Sequence, residues 1–170
     1  RGAYNKIRHL SDAEKARGVI TASAGNHAQG VALTAHLLDI DATVVMPKTA
    51  PLAKQQATSG YGAKVVLAGD TFDESRAFME QKAKEDGLTI VDPYNVPLVI
   101  AGQGSIGLEI LDQLWDVDTV IVPVGGGGLI TGIATVLKHF NPYIHIVGVQ
   151  SENVHGMTAS LQAGKLTRQC

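Results

Sequence analysis

Gly18-Val19-Ile20-Thr21-Ala22-Ser23-Ala24-Gly25-Asn26-His27-Ala28-Gln29-Gly30 is the stretch that decides the fold. Its first five residues are apolar or β-branched and do not alternate, the pattern of a strand covered on both faces, as in a parallel sheet. The strand ends at about Ala22, and a helix begins at about Asn26, with Val31, Ala35 and Leu38 on one side of it. A buried strand running straight into a helix is half of a βαβ unit.

Working outward, the same kind of run recurs at Ala42–Met46, Ala63–Leu67, Leu88–Val91, Thr119–Pro123 and His145–Val149. Helical segments fill the gaps. Ser11-Asp12-Ala13-Glu14 is a capping box that starts a short helix, with Lys15 and Arg17 in its last turn and Gly18 as its stop. A second capping box, Thr71-Phe72-Asp73-Glu74, opens a helix that runs to Gly87. Ile106, Ile110 and Leu114 stand four apart in another, and Thr131–His139 makes a further one. Strand and helix alternate throughout, so the expected fold class is α/β, with parallel sheets, helices on both faces and right-handed crossovers. Asp92-Pro93-Tyr94-Asn95-Val96-Pro97 breaks the rhythm and marks the candidate lobe boundary.

Composition excludes several classes. Of 170 residues, 45% are hydrophobic and 18% charged, with a net charge of −2 and no Lys/Arg cluster. A core is affordable, and neither a nucleic-acid nor an anionic-membrane surface is expected. No apolar run approaches the ~20 residues that span a bilayer. The single cysteine, Cys170, excludes an internal disulfide and suits a reducing, cytoplasmic setting, as does the lack of a signal-peptide pattern. His9, His27, His36, His139, His145 and His155 show no metal-ligand spacing, and no G-x-S-x-G elbow is present. Glu80, Lys82, Lys84 and Glu85 read as a solvated helix face. The chain opens at Arg1 within a helical pattern and closes without a stop signal, so a piece of a longer protein is expected.

Glycine carries the functional signal, and two loops concentrate it. Ser23-Ala24-Gly25-Asn26-His27 leads from a strand into a helix N-terminus, where free amides and the positive dipole end favour an anion such as a carboxylate or phosphate. Simple capping accounts for Ser23 or Asn26 alone; spacing leaves capping and binding both open. Val122-Pro123-Val124-Gly125-Gly126-Gly127-Gly128-Leu129 also joins a strand to a helix. Four successive glycines remove every Cβ, so consecutive amides can converge on one ligand, a nest suited to a terminal phosphate. A dinucleotide fingerprint would space its glycines and place an acid about 20 residues on, whereas Gln150 ends the next strand here. The P-loop lysine is missing as well. A third cluster, Ala101-Gly102-Gln103-Gly104-Ser105-Ile106-Gly107, is explained equally by close helix packing or by a ligand.

Taken in order, Arg1-Gly2-Ala3-Tyr4-Asn5, Ser23-Ala24-Gly25-Asn26-His27-Ala28-Gln29-Gly30, Ile100-Ala101-Gly102-Gln103-Gly104 and Pro123-Val124-Gly125-Gly126-Gly127-Gly128-Leu129 resemble the fold-type II pyridoxal 5′-phosphate enzymes, specifically the threonine dehydratase (threonine ammonia-lyase) family. The stretch from Val147 through Gln150 and His155 to Met157 is similar to the short, catabolic type. The resemblance implies a two-lobed catalytic module, with residues 1–17 and 96–170 in a large cofactor lobe and 18–95 forming a small lobe with a four-stranded sheet. It implies substrate-carboxylate binding by Ser23, Gly25, Asn26 and His27, with Asn26 also at the phenolic oxygen of the cofactor. Gly125, Gly126, Gly127, Gly128 and the Leu129 amide would hold the cofactor phosphate.

The lysine that the family joins to the cofactor lies two residues before the Arg of Arg-Gly-Ala, outside this chain, so no catalytic residue is assigned within it and the chain alone is expected to be inactive. Lys6 is no substitute, because seven positions are about two helical turns, roughly 10 Å. The implied activity of the parent is that of a lyase in amino-acid metabolism, in threonine catabolism or isoleucine biosynthesis. It would convert L-threonine, and L-serine less well, to a 2-oxo acid and ammonia, in a cytoplasmic homo-oligomer. Serine racemase resembles the same pattern but usually carries Ser where Ala24 stands; cysteine synthase and threonine synthase carry Thr where His27 stands. A non-catalytic phosphate-binding module is the remaining alternative.

Overall fold

The computed structural model describes residues 1–167; Cys170, and with it the disulfide argument, lies outside them. Two compact units divide the chain, Arg1–Pro93 and Tyr94–Cys170.

The first unit holds α1 (Gly2–Arg8), α2 (Asp12–Ala16), β1 (Val19–Ala22), α3 (Asn26–Leu37), β2 (Ala42–Met46), α4 (Leu52–Gly60), β3 (Lys64–Leu67), α5 (Phe72–Asp86) and β4 (Thr89–Ile90). Its four strands are all parallel, in the order β3-β2-β1-β4. Successive residues of β1 go to opposite faces, as strand geometry requires. Val19 joins Val44 and Met46 in a cluster with Ala28, Val31 and Ala35 of α3 and Ala3 and Ile7 of α1. Ile20 and Ala22 join Val45 beneath Met79 and Ala83 of α5. Both faces of this sheet are therefore covered by helices, and each fully buried Val or Ile contributes about 1.5–3 kcal/mol.

The Ser11 capping box forms in full: Glu14 N donates to Ser11 Oγ at 3.3 Å and Ser11 N to Glu14 Oε2 at 2.8 Å. Thr71 forms only half of one. Its hydroxyl accepts from Glu74 N, but the Glu74 carboxylate accepts from Asp70 N at 2.7 Å instead of from the Thr71 amide. Gly69, at φ +74, turns the chain so that the Asp70 amide presents itself first. Gly87, also left-handed at φ +71, ends α5 as expected.

The second unit holds α6 (Pro97–Gln113), β5 (Thr119–Pro123), α7 (Gly128–Phe140), β6 (His145–Val149) and α8 (Gly156–Ala163). β5 and β6 pair in parallel, from Thr119 beside His145 to Pro123 beside Val149. Val122, Ile133, Leu137 and Ile144 form the core of this unit. Here the expectation of burial on both faces fails: Ile121, Val147 and Val149 are exposed. β3 departs too, with Lys64 and Leu67 exposed, because it is an edge strand. An apolar run records what a strand is built to bury, not how much cover lies within the chain itself.

Candidate functional site

In the first unit, β2 and β3 lie to one side of β1 and β4 to the other. The strand order reverses at β1, and the carboxyl ends of strands flanking such a reversal frame the crevice where open α/β sheets bind ligands. Ser23–Gly25 is the loop that leaves β1 at that point and enters α3. The first bond of the α3 ladder runs from Gln29 N to Gly25 O at 3.3 Å, so the amides of Asn26, His27 and Ala28 stand outside it. Gly25 N lies 3.4 Å from Ser23 Oγ, which tightens the turn. A Cβ on Gly25 would meet nothing within 4 Å. The protein's own packing therefore does not require a glycine there, and the backbone is left open to a ligand.

The four residues assigned to this loop differ in what they offer. Ser23 and Gly25 are half-buried and Asn26 is exposed. His27 is committed elsewhere: its Nε2 lies 3.1 Å from the Val91 carbonyl, just beyond β4. A carbonyl can only accept, so Nε2 carries the proton, and the bond ties the first turn of α3 across to the neighbouring strand. Burial holds the His27 ring below the usual histidine value, against the opposing influence of the Val91 carbonyl and the Asp92 carboxylate. With its ring so engaged, the donor that His27 keeps outside the helical ladder is its amide. Ala24, beside it, packs against the core cluster of Val19 and Val31.

In the second unit, Gly125–Gly128 leads from β5 into α7. The first α7 bond is donated by Thr131 N to Gly127 O at 3.0 Å, leaving the amides of Gly128, Leu129 and Ile130 outside the helical ladder. The glycines have distinct duties that the sequence could not separate. A Cβ on Gly126 would lie 2.3 Å from Tyr94 Cγ, and one on Gly128 would lie 2.9 Å from Tyr94 Cα. Those two are bare because Tyr94 packs against them. Gly127 has φ +89, and a Cβ there would be 3.1 Å from Met157 Cε. Gly125 alone faces open space, with nothing within 4 Å of its would-be Cβ. Unpaired helix-start amides beside an unfilled glycine provide the donor set and clearance that a phosphate monoester needs.

The third glycine cluster is resolved by helix packing. Gly104 and Gly107 of α6 lie against α7, where added Cβ atoms would meet Val136 at 3.1 and 3.0 Å. From the other side, a Cβ on Gly132 would lie 2.4 Å from Ile100 O. These glycines let two helix backbones approach closely, and so fix where α7 starts. Tyr94 and Met157 were not legible as neighbours of the tetraglycine turn; the only sequence signal for Tyr94 was its place in the boundary stretch. Among the described residues no group of three or more His, Cys, Asp or Glu gathers to hold a metal ion, and no helix is long and apolar enough to cross a membrane.

Comparison with known proteins shows the family. The family described as "Pyridoxal-phosphate dependent enzyme" matches residues 1–169. The chain is 70% identical over 167 residues to the catabolic L-threonine dehydratase TdcB of Staphylococcus aureus strain N315, covering 98% of this chain and 48% of that protein. The chain thus spans about half the length of the curated relatives it matches. Among solved structures, the processed form of threonine deaminase isoform 2 from Solanum lycopersicum superposes with a TM-score of 0.93 at 48% identity, covering 99% of this chain and 49% of that one. Maize serine racemase superposes with a TM-score of 0.94 at 36% identity, covering 99% and 51%.

Proposed function

As the chain belongs to the pyridoxal-phosphate-dependent enzyme family, we propose that it forms part of an ammonia-lyase that dehydrates and deaminates L-threonine, and L-serine less well, to 2-oxobutanoate or pyruvate and ammonia. The observation that carries the proposal is the turn opening α7, where the amides of Gly128 and Leu129 stand outside the helix ladder and Gly125 is left unfilled. These donors would take the cofactor phosphate, whose dianion the positive end of α7 favours. The bound cofactor would supply the electron sink for elimination at the amino acid.

The residues of the chain supply orientation. The Asn26 and His27 amides, with Ser23 Oγ, would donate to the substrate carboxylate at the positive end of α3. The exposed Asn26 carboxamide would donate to the phenolic oxygen of the cofactor, a neutral partner that holds the ring without fixing its charge. His27, neutral and bonded to Val91, would keep the loop in register with β4. Residues 18–95 would form the small lobe, and residues 1–17, although Ala3 and Ile7 pack against its sheet within the first compact unit, would with residues 96–170 form part of the cofactor lobe of a cytoplasmic homo-oligomer.

Ala24 supports elimination over racemisation. Inverting an α-carbon requires a proton donor on the second face, and a methyl group packed on the core offers none. Ammonia release from L-threonine and L-serine by the pyridoxal-phosphate-loaded full-length protein, of which this chain spans about half the length of its relatives, tests the proposal: faster release from threonine is expected, and no release from either would refute it.

A further inference from the structure

We infer that Gln150 is a positioning residue for the phosphate-binding turn, holding its entrance in place by bonds that only a carboxamide can make; this rests on the assignment of Gly125–Leu129 to a phosphate. Gln150 follows β6, half-buried, and its side chain reaches across to the neighbouring strand's exit. Nε2 donates to the Val124 carbonyl at 3.1 Å, the residue immediately before Gly125. Oε1 accepts from both Thr158 N and Thr158 Oγ1 at 2.9 Å, in the first turn of α8. The backbone adds a second tie at the same residue, Val124 N donating to Val149 O at 2.8 Å. Val124 is thus gripped at both its amide and its carbonyl, and the grip on the carbonyl depends on one side chain.

Chemistry explains why an amide stands there. The Val124 carbonyl needs a donor, and the two Thr158 groups need an acceptor; one carboxamide satisfies all three. A carboxylate of the same shape would still accept from Thr158 but would oppose the Val124 carbonyl with negative charge, next to a turn that has to receive an anion. The grip also ties α8 to the turn. None of the residues of α8 is buried, and Met157, beside Thr158, sits against Gly127. The carboxamide therefore fixes the approach of the glycine turn from the β6 side, as Tyr94 does beneath Gly126 and Gly128.

The test is the affinity of the full-length protein, freed of cofactor, for pyridoxal 5′-phosphate and for pyridoxal, each titrated by fluorescence. Gln150→Glu should weaken binding of the phosphorylated compound by roughly tenfold, the scale of one lost hydrogen bond compounded by a misplaced charge. Pyridoxal binding should stay within about twofold, since it does not use the turn. If Gln150→Glu does not fold, Gln150→Ala removes both bonds without adding charge and should show the same selectivity with a smaller loss. Unchanged affinity for the phosphorylated compound, or an equal loss for pyridoxal, would overturn the inference. Wild-type protein that binds both compounds equally would instead overturn the phosphate assignment on which it rests.

Discussion

His27 Nε2 meets the Val91 carbonyl at 3.1 Å, joining the helix that leaves β1 to the end of β4. The bond spans the point where strand order reverses, and it ties the loop that leaves β1 to the neighbouring strand. It also gives His27 a role its place in the sequence does not suggest. The ring braces the loop, and the amide stays outside the helical ladder.

His27→Ala should therefore destabilise the first unit by about 1 kcal/mol, the worth of a typical intramolecular hydrogen bond. His27→Gln, which keeps an N–H in reach of Val91, should lose less. Urea denaturation of the three proteins at neutral pH checks the order; an equal loss for both variants would remove the bracing role.

A pH dependence follows from the same residue. The folded ring is held below the ordinary value of 6.5, so in mild acid the unfolded chain binds a proton that the folded chain resists. The contribution is complete above 6.5 and is lost as pH falls from there through the lower folded value. His27→Gln should flatten the fall in stability between neutral and mildly acidic pH. An unchanged slope would show that other groups set it.

The glycines of the α7 turn should separate in mutagenesis. Gly126→Ala drives a methyl group into the Tyr94 ring, at 2.3 Å from Cγ, and should cost about 1–3 kcal/mol of stability by overpacking. Gly125→Ala meets no protein atom within 4 Å and should fold normally, yet lose affinity for pyridoxal 5′-phosphate. Thermal melts beside cofactor titrations of both variants test this, and normal affinity in Gly125→Ala would contradict the proposed cradle.

Two helices share a similar constraint. A Cβ on Gly132 would lie 2.4 Å from the Ile100 carbonyl and 2.8 Å from Gly104 N. Backbone cannot yield as a side chain can, so Gly132→Ala should destabilise the second unit by about 3 kcal/mol or more, the upper end for overpacking. Denaturant midpoints measure it; a neutral substitution would mean that α6 and α7 can slide apart without loss.

The parallel α/β class, the six strands and both loops were legible because each is written locally, in non-alternating apolar runs and clustered glycines. What was not legible depends on contacts distant in sequence. Nothing near Gly126 announces that Tyr94 packs beneath it, and nothing near His27 announces Val91. Gly104 and Gly107 read the same whether they serve a ligand or a helix, and only Val136 on the facing helix distinguishes the two. Thr71 and Glu74 have the letters of a capping box, but a left-handed Gly69 gives the carboxylate a different amide. Ile121 and Val149 read as buried on both faces, a property of surroundings that strand letters cannot report.

Incubation of the purified, pyridoxal-phosphate-loaded full-length protein with L-threonine tests the central claim most directly. Elimination predicts 2-oxobutanoate and ammonia in equal amounts, with formation abolished when the cofactor is removed; L-serine should give pyruvate with little D-serine. Stereochemical inversion without ammonia release, or release that persists without the cofactor, would contradict it.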